Sequence, residues 1–312
     1  MEIITYNQRY EQQVVDLWNR CCYFDPITVD KFRQQALFDD NFDESLCWVA
    51  LEDEQTVGFI LATKRKFPYL DRGLEPARGW IHVMFVALEH QKKGIGQALY
   101  DLAESALKSL GVTSVTLGAY SPNYFFAGID QDNYPQAASF FAENGYVSGA
   151  KHYSMGRDLH GFQISEKTIQ KKQQAEKEGY RFIPFDYYYS LELLTFLKEE
   201  FGGGWKRNAL ISMQKRMADD HIILVLDPQG KICGFCMSAI DGNEMRFGPI
   251  GVAEKLRNAG LGGILLELKL YDMCKRGIYR MYFITTDDPG KRYYERHGLT
   301  VIRTFVEYKK EV

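Results

Sequence analysis

The sequence has no run of about eighteen or more apolar residues, so no segment reads as a membrane-spanning helix. Its first residues, Met1-Glu2-Ile3-Ile4-Thr5, carry no basic stretch and no apolar signal core, which argues against a secretory leader. Positive charge is not in excess either. Lys and Arg number 38 against 41 Asp and Glu, a net charge of −3, whereas a general nucleic-acid binder is ordinarily basic. Cysteine is scarce: Cys21, Cys22, Cys47, Cys233, Cys236 and Cys274 lie mostly inside apolar runs. Cys233-Gly234-Phe235-Cys236 has metal-pair or redox-pair spacing, but it continues a strand pattern and no second ligand pair exists. We read these as buried structural thiols, with no metal, in a reducing compartment such as the cytoplasm. No nucleic acid and no membrane are expected as partners.

What the chain does contain is core material. Of its 312 residues, 46% are hydrophobic and 25% charged, a globular composition, and the length allows about two domains. The most informative stretch runs from Gly251 to Gly263. An apolar, strand-like run (Met245 to Val252) stops at a short polar segment, glycines follow at 260, 262 and 263, and a strongly apolar helical pattern comes next. Strand, glycine turn and helix together are the sequence form of an anion site. Glycine lets the backbone approach the anion, and the first-turn N–H groups and the positive helix end face it. One such motif is more often a tight turn. Here a second copy, Val86-Ala87-Leu88-Glu89-His90-Gln91-Lys92-Lys93-Gly94-Ile95-Gly96, follows another apolar run and opens another helix.

The rest of the chain repeats in the same order. In the first half we expect a strand over 2–6, helices over 8–22 and 30–37, and a hairpin of 46–51 with 56–62. A loop over 64–79, a strand over 80–87, a helix over 94–110 ended by Gly111, a strand over 112–119 and a helix over 135–144 follow. In the second half the pattern predicts a strand over 181–185 and helices over 191–200 and 208–217 parted by Gly202-Gly203-Gly204. Next come a hairpin of 222–226 with 232–240, a strand over 245–252, a helix over 261–276, a strand over 279–286, a helix over 291–297 and closing strands. Two copies of one order imply two like-folded domains. We place them at 1–158 and 180–312, joined by a charged, solvated helical linker over 159–179.

This order resembles the GNAT superfamily of acyl-CoA-dependent N-acyltransferases. The family signature, Arg/Gln-x-x-Gly-x-Gly/Ala, is matched by Arg257-Asn258-Ala259-Gly260-Leu261-Gly262, with Gly263 after it, and by Gln91-Lys92-Lys93-Gly94-Ile95-Gly96. The proline common three places before the Arg or Gln is absent, Glu254 and Leu88 standing there. The resemblance covers nearly the whole chain. It implies an α/β (α+β mixed sheet) class: two tandem GNAT-like domains, each a mostly antiparallel central sheet flanked by helices. It further implies acetyl-CoA (coenzyme A) as acyl donor, its pyrophosphate on the glycine turn and its pantetheine arm beside Val252-Ala253 or Val86-Ala87.

The resemblance also separates the halves. Family members usually carry a tyrosine four residues before a glycine on the late helix. Tyr294-Glu295-Arg296-His297-Gly298-Leu299 fits, whereas the first half has Phe141, which has no hydroxyl. An amine attacking a thioester forms an oxyanion and then expels a thiolate, which a phenol of pKa about 10 is able to protonate. Tyr294 is therefore the candidate general acid, and backbone N–H groups near Val252 would polarise the carbonyl. Glu244 is the candidate base, although a solvated turn carboxylate is the plainer reading; Glu254 is expected to face solvent, and His82 to be a packed histidine. Trp205, after the triple glycine, and Tyr124, in an aromatic loop, are candidates for the acceptor pocket or else for packing. The expected activity is acetyl transfer to a primary amine of a small molecule or peptide, with the C-terminal half the active one. The alternatives are a non-catalytic acyl-CoA-binding or partner-binding protein, or activity in the N-terminal half. The sequence leaves acceptor, acyl chain and oligomeric state open.

Overall fold

A computed structural model describes residues 1–123 and 125–312; Tyr124 lies outside the described residues. The chain divides into two units, Met1–His152 with Arg303–Val312, and Tyr153–Ile302. The elements begin with β1 (Glu2–Thr5), α1 (Glu11–Cys21), α2 (Val29–Phe32), β2 (Cys47–Glu52), β3 (Gln55–Lys64), β4 (Arg78–Val86), α3 (Ile95–Ser109), β5 (Ser114–Leu117), α4 (Pro135–Glu143) and β6 (Val147–Asp158). They continue with α5 (Glu166–Lys177), β7 (Arg181–Pro184), α6 (Ser190–Phe201), α7 (Gly203–Gln214), α8 (Ala218–His221), β8 (Ile222–Leu226), β9 (Ile232–Ser238), β10 (Phe247–Val252), α9 (Leu261–Lys275), β11 (Arg280–Phe283), α10 (Asp288–Glu295) and β12 (Thr300–Glu311). Among the described residues no helix is long and apolar enough to cross a membrane.

The first unit is a mixed sheet in the order β1-β2-β3-β4-β5-β12. All its neighbours are antiparallel except β4 and β5, which run parallel. The core gathers Trp18 and Phe32 from the helices against Phe59, Phe85 and Leu117 of the strands. α3 buries Ile95, Leu99, Tyr100, Ala103 and Leu107, the stripe a 3.6-residue period demands. It ends where Gly111 adopts φ +78° and Val112 donates its N–H to the Leu107 carbonyl at 3.1 Å.

In the second unit β10-β9-β8-β7 form a four-stranded antiparallel sheet, and β11 pairs with β6. One face of this sheet packs on α9 through Leu265, Leu266 and Met273; the other packs on α6 and α7 through Leu193, Leu197 and Ala209. α9 stops as α3 does, with Gly277 at φ +82° and Ile278 N–H on the Met273 carbonyl at 3.0 Å. The expected break over Gly202–Gly204 is confined to Gly202, which has φ +87°, and Gly203, Gly204 and Trp205 already form the first turn of α7. Trp205 stacks on Phe201 with ring centroids 4.7 Å apart, and this stack holds the two helices together across the glycine. Cys233 and Cys236 are free, and burial pushes both thiols up to about 12, so neither is a thiolate at neutral pH.

Strand β12 is tied into the first unit by an ion cluster. Arg303 Nε donates to Asp130 Oδ2 at 2.7 Å, and its Nη2 donates to Asp25 Oδ2 at 2.9 Å. The Tyr134 hydroxyl donates to the same Asp25 oxygen at 2.6 Å, and Asn133 holds Asp130. The Asp130 side chain is 1% exposed, so removing the guanidinium would strand a buried charge. Arg303→Met is expected to lower the unfolding free energy by about 3 kcal/mol in urea titrations. An unchanged midpoint would show that the clamp adds no stability.

His82, inside β4, is 5% exposed and hydrogen-bonds Thr63 Oγ1 through Nε2 at 2.8 Å. Burial holds its imidazole down to about 4. The unfolded chain takes up that proton near pH 6.5, so stability should fall by about 3 kcal/mol as pH drops from 6.5 toward 4. In His82→Gln this part of the pH dependence should vanish; a difference between the two proteins that is flat with pH would contradict a buried neutral imidazole.

Candidate functional site

Both glycine turns are built the same way. After β4, Ala87 (φ −48°, ψ 137°) leads into one 3-10 turn, Leu88–His90, then Gln91 (φ −67°, ψ 159°) and Gly94 at φ +84° as N-cap of α3. After β10, Ala253 (φ −46°, ψ 139°) leads into Glu254–Leu256, then Arg257 (φ −60°, ψ 142°) and Gly260 at φ +82° as N-cap of α9. Lys92 and Asn258, two residues before those caps, are left-handed as well, at +58° and +75°. The alternation turns successive backbone N–H groups toward one concavity, and the first-turn N–H groups of Ile95, Gly96, Leu261, Gly262 and Gly263 have no acceptor within their helices. Ile95 and Leu261 bury their side chains, while Lys92, Lys93, Arg257, Asn258 and Ala259 stay exposed. Gln91 closes the first turn by donating to the Val86 carbonyl at 3.1 Å, and Arg257 lies 3.8 Å from Glu254.

Each turn stands beside strands that part. β4 pairs with β5 from Arg78 to Ile81, and His82–Val86 have no partner in β5. Arg246, the residue before β10, bridges Tyr282 of β11, and among the described residues Phe247–Val252 have no strand partner on that side. The two clefts differ in what fills them. In the first unit, Phe125 and Phe126 pack on Trp18, which meets Phe85 of β4, and Val83, Phe85 and Val86 are at most 9% exposed. In the second, Ile250, Gly251 and Val252 are only half-buried. Gly251 is required there, since a β-carbon would stand 2.4 Å from Phe201 Cζ. Trp205, stacked on Phe201 and 5.7 Å from Phe235, thus belongs to the layer behind β10.

Tyr294 of α10 packs on Phe283, the last residue of β11, with centroids 4.5 Å apart. Burial raises its phenol above the ordinary value, so it is protonated at neutral pH. Phe141 holds the matching place in α4 and is 6% exposed. Glu244 is not brought to the turn. It meets Arg276 Nη2 at 3.2 Å and His221 Nε2 at 3.5 Å, at the C-terminal end of α9, while Gly260 caps the N-terminal end.

Sequence reasoning passed over three side chains that the fold brings to the second turn. The Tyr293 hydroxyl, shielded from solvent and without a hydrogen-bond partner among the described residues, lies 3.3 Å from where a β-carbon of Gly262 would be. The His297 ring lies equally close to Gly263, and its Nδ1 faces Glu267 at 3.7 Å. Burial lowers the His297 imidazole, Glu267 opposes that, and Arg296 and Lys171 add to it. Lys171 of α5 is the third, close to Gly260. Tyr293 lies in α10 and His297 in the turn that follows it, and their rings meet with centroids 5.0 Å apart.

The model of the acetyltransferase (GNAT) family matches residues 12–125 and 190–299. Among solved structures, the chain is similar to a glucosamine N-acetyltransferase region of a fungal multi-domain β-N-acetylglucosaminidase (TM-score 0.79, 19% identity), covering 99% of this chain and 38% of that one. It is also similar to a GCN5-related N-acetyltransferase from Sphaerobacter thermophilus (TM-score 0.71, 14% identity, 99% and 95% covered). A tandem GNAT protein from the clavulanic acid biosynthesis pathway matches with a TM-score of 0.67 at 14% identity, 99% and 98% covered. At these identities the likeness speaks for the fold. No curated protein matches the sequence.

Proposed function

Because the chain belongs to the GNAT family of acetyltransferases, we propose that it transfers an acetyl group from acetyl-CoA to a primary amine, and that the second unit performs the reaction. The observation that carries the second half of this reading is the open cleft between β10 and β11, against the aromatic-filled cleft of the first unit. The Gly260 turn fits the diphosphate of coenzyme A: its first-turn N–H groups are free of helix partners and its left-handed glycine carries no side chain to cover them. In this reading Val252 and Ala253 lie along the pantetheine arm, and Arg257 to Gly263 hold the phosphates. The edge of β10 that β11 leaves supplies N–H groups to the carbonyl oxygen as the amine attacks. Tyr294, kept protonated by burial, gives its proton to the departing thiolate.

Glu244, ion-paired at the other end of α9, has a structural place, and the incoming ammonium would lose its proton to water or to a group nearer the turn. The first unit keeps a turn of the same geometry, with Gln91, Lys92, Lys93, Gly94 and Gly96, but it has Phe141 in the tyrosine's place and a filled cleft. We read it as a scaffold. The acceptor is an amine of a small molecule or peptide. A relative with a glucosamine N-acetyltransferase region makes glucosamine the first compound to include in a panel.

Tyr294→Phe is expected to lower kcat about a hundredfold with acetyl-CoA affinity unchanged, measured by thiol release. Full turnover in that variant would remove Tyr294 from the mechanism. Calorimetric titration with acetyl-CoA should give one site, abolished by a bulky residue at Gly260 and retained with the same change at Gly94. Retention after the Gly260 change and loss after the Gly94 change would move the activity to the first unit.

A further inference from the structure

α5 has no counterpart in the first half, where β1 opens the unit directly. It is nevertheless fixed to α9. Ser165, its N-cap, donates its backbone N–H to Glu267 Oε2 at 2.9 Å, and Thr168 Oγ1 donates to Glu267 Oε1 at 2.8 Å. Thr168 and Ala175 are buried, and one helical face carries 168, 171 or 172, and 175. From the Glu267 anchor this face advances toward the N-terminus of α9. There a β-carbon on Gly260 would lie 3.9 Å from Lys171 Cδ and 4.0 Å from its Nζ. Its neighbour Lys172 is paired with Glu176, whereas Lys171 has no ion pair among the described residues. At Gly94, the same position in the first turn, nothing comes within 4 Å. An exposed ammonium without a carboxylate therefore stands over one of two backbone-identical turns.

We propose that Lys171 is a phosphate-binding residue of the second turn, supplied by a helix outside the duplicated fold, and that it contacts a phosphate of the coenzyme A thioester. This rests on the reading of the Gly260 turn as the coenzyme A site. A strongly hydrated point charge on a flexible stem suits a phosphate that the backbone N–H groups already position. The ammonium also sets the two turns apart: among the described residues, a lysine from outside the turn comes within 4.0 Å of the capping glycine's β-carbon position at Gly260 and none does at Gly94.

The test is calorimetric titration of the full chain with coenzyme A, dephospho-coenzyme A and pantetheine at two salt concentrations. Lys171→Ala should weaken coenzyme A binding about tenfold and flatten its salt dependence. Lys171→Arg should restore most of the affinity, and Lys172→Ala should bind as the parent does. A loss that disappears with dephospho-coenzyme A assigns the contact to the 3′-phosphate, and one that persists assigns it to the diphosphate; pantetheine should be indifferent to the variant. Equal affinity and equal salt slope in Lys171→Ala would overturn the proposal, as would an equal loss in Lys172→Ala. A parent protein that binds no coenzyme A would instead overturn the reading of the turn itself.

Discussion

A strand that leaves its neighbour exposes backbone donors and acceptors that no other strand satisfies, and the second unit is arranged around one such departure. β10 is held by β9 along one edge, while on the other the residue before it, Arg246, makes the one bridge to β11 among the described residues. The departure is stable because each strand has its own support. β10 lies on a four-stranded sheet backed by α6 and α7, and β11 pairs with β6. The opening then has fixed walls: the Gly260 turn at the end of β10 and the Tyr294 ring against the end of β11.

The two halves share backbone geometry and differ in side chains. Phe140 approaches Gly96 at the first turn of α3, and Tyr293 approaches Gly262 at the first turn of α9. Phe141 stands where Tyr294 does. Asn144 bonds Gln97 at 2.9 Å, while the His297 ring lies over Gly263, 3.0 Å from where a β-carbon would stand. Two phenyl rings and an amide in one copy thus correspond to two phenols and an imidazole in the other. The main-chain turn persists in both because its conformation comes from glycine at φ above +80°, independent of what surrounds it.

Elements with strong periodicity were legible in the sequence. α3 and α9 begin and end at the glycines that mark them, and both hairpins stand where alternation placed them. Gly203 and Gly204 were harder to read. Glycine is a poor helix former, but the Phe201–Trp205 stack and the buried Ala209 and Met213 draw them into α7. The charged segment before the second half reads as solvated, and most of α5 is; within that helix Thr168 and Ala175 are the buried residues that record its docking on α9. Lys171 was invisible for the same reason, since its meaning depends on a neighbour distant in sequence. Tyr294 came from the family resemblance rather than from spacing, Tyr124 lies outside the described residues, and Glu244, chosen for standing just before the central strand, faces Arg276 and His221 at the far end of α9.

The position of β12 has a consequence for synthesis. Its residues from Lys309 to Glu311 form the outer neighbour of β5, and the Arg303 cluster joins it to Asp25 and Asp130. During translation the first unit emerges early yet lacks that strand until the whole second unit has left the ribosome. Through that interval the edge of β5 is an open template for wrong partners, and Asp130 is an uncompensated charge. The half made first is therefore the half completed last, and its maturation is timed by the other.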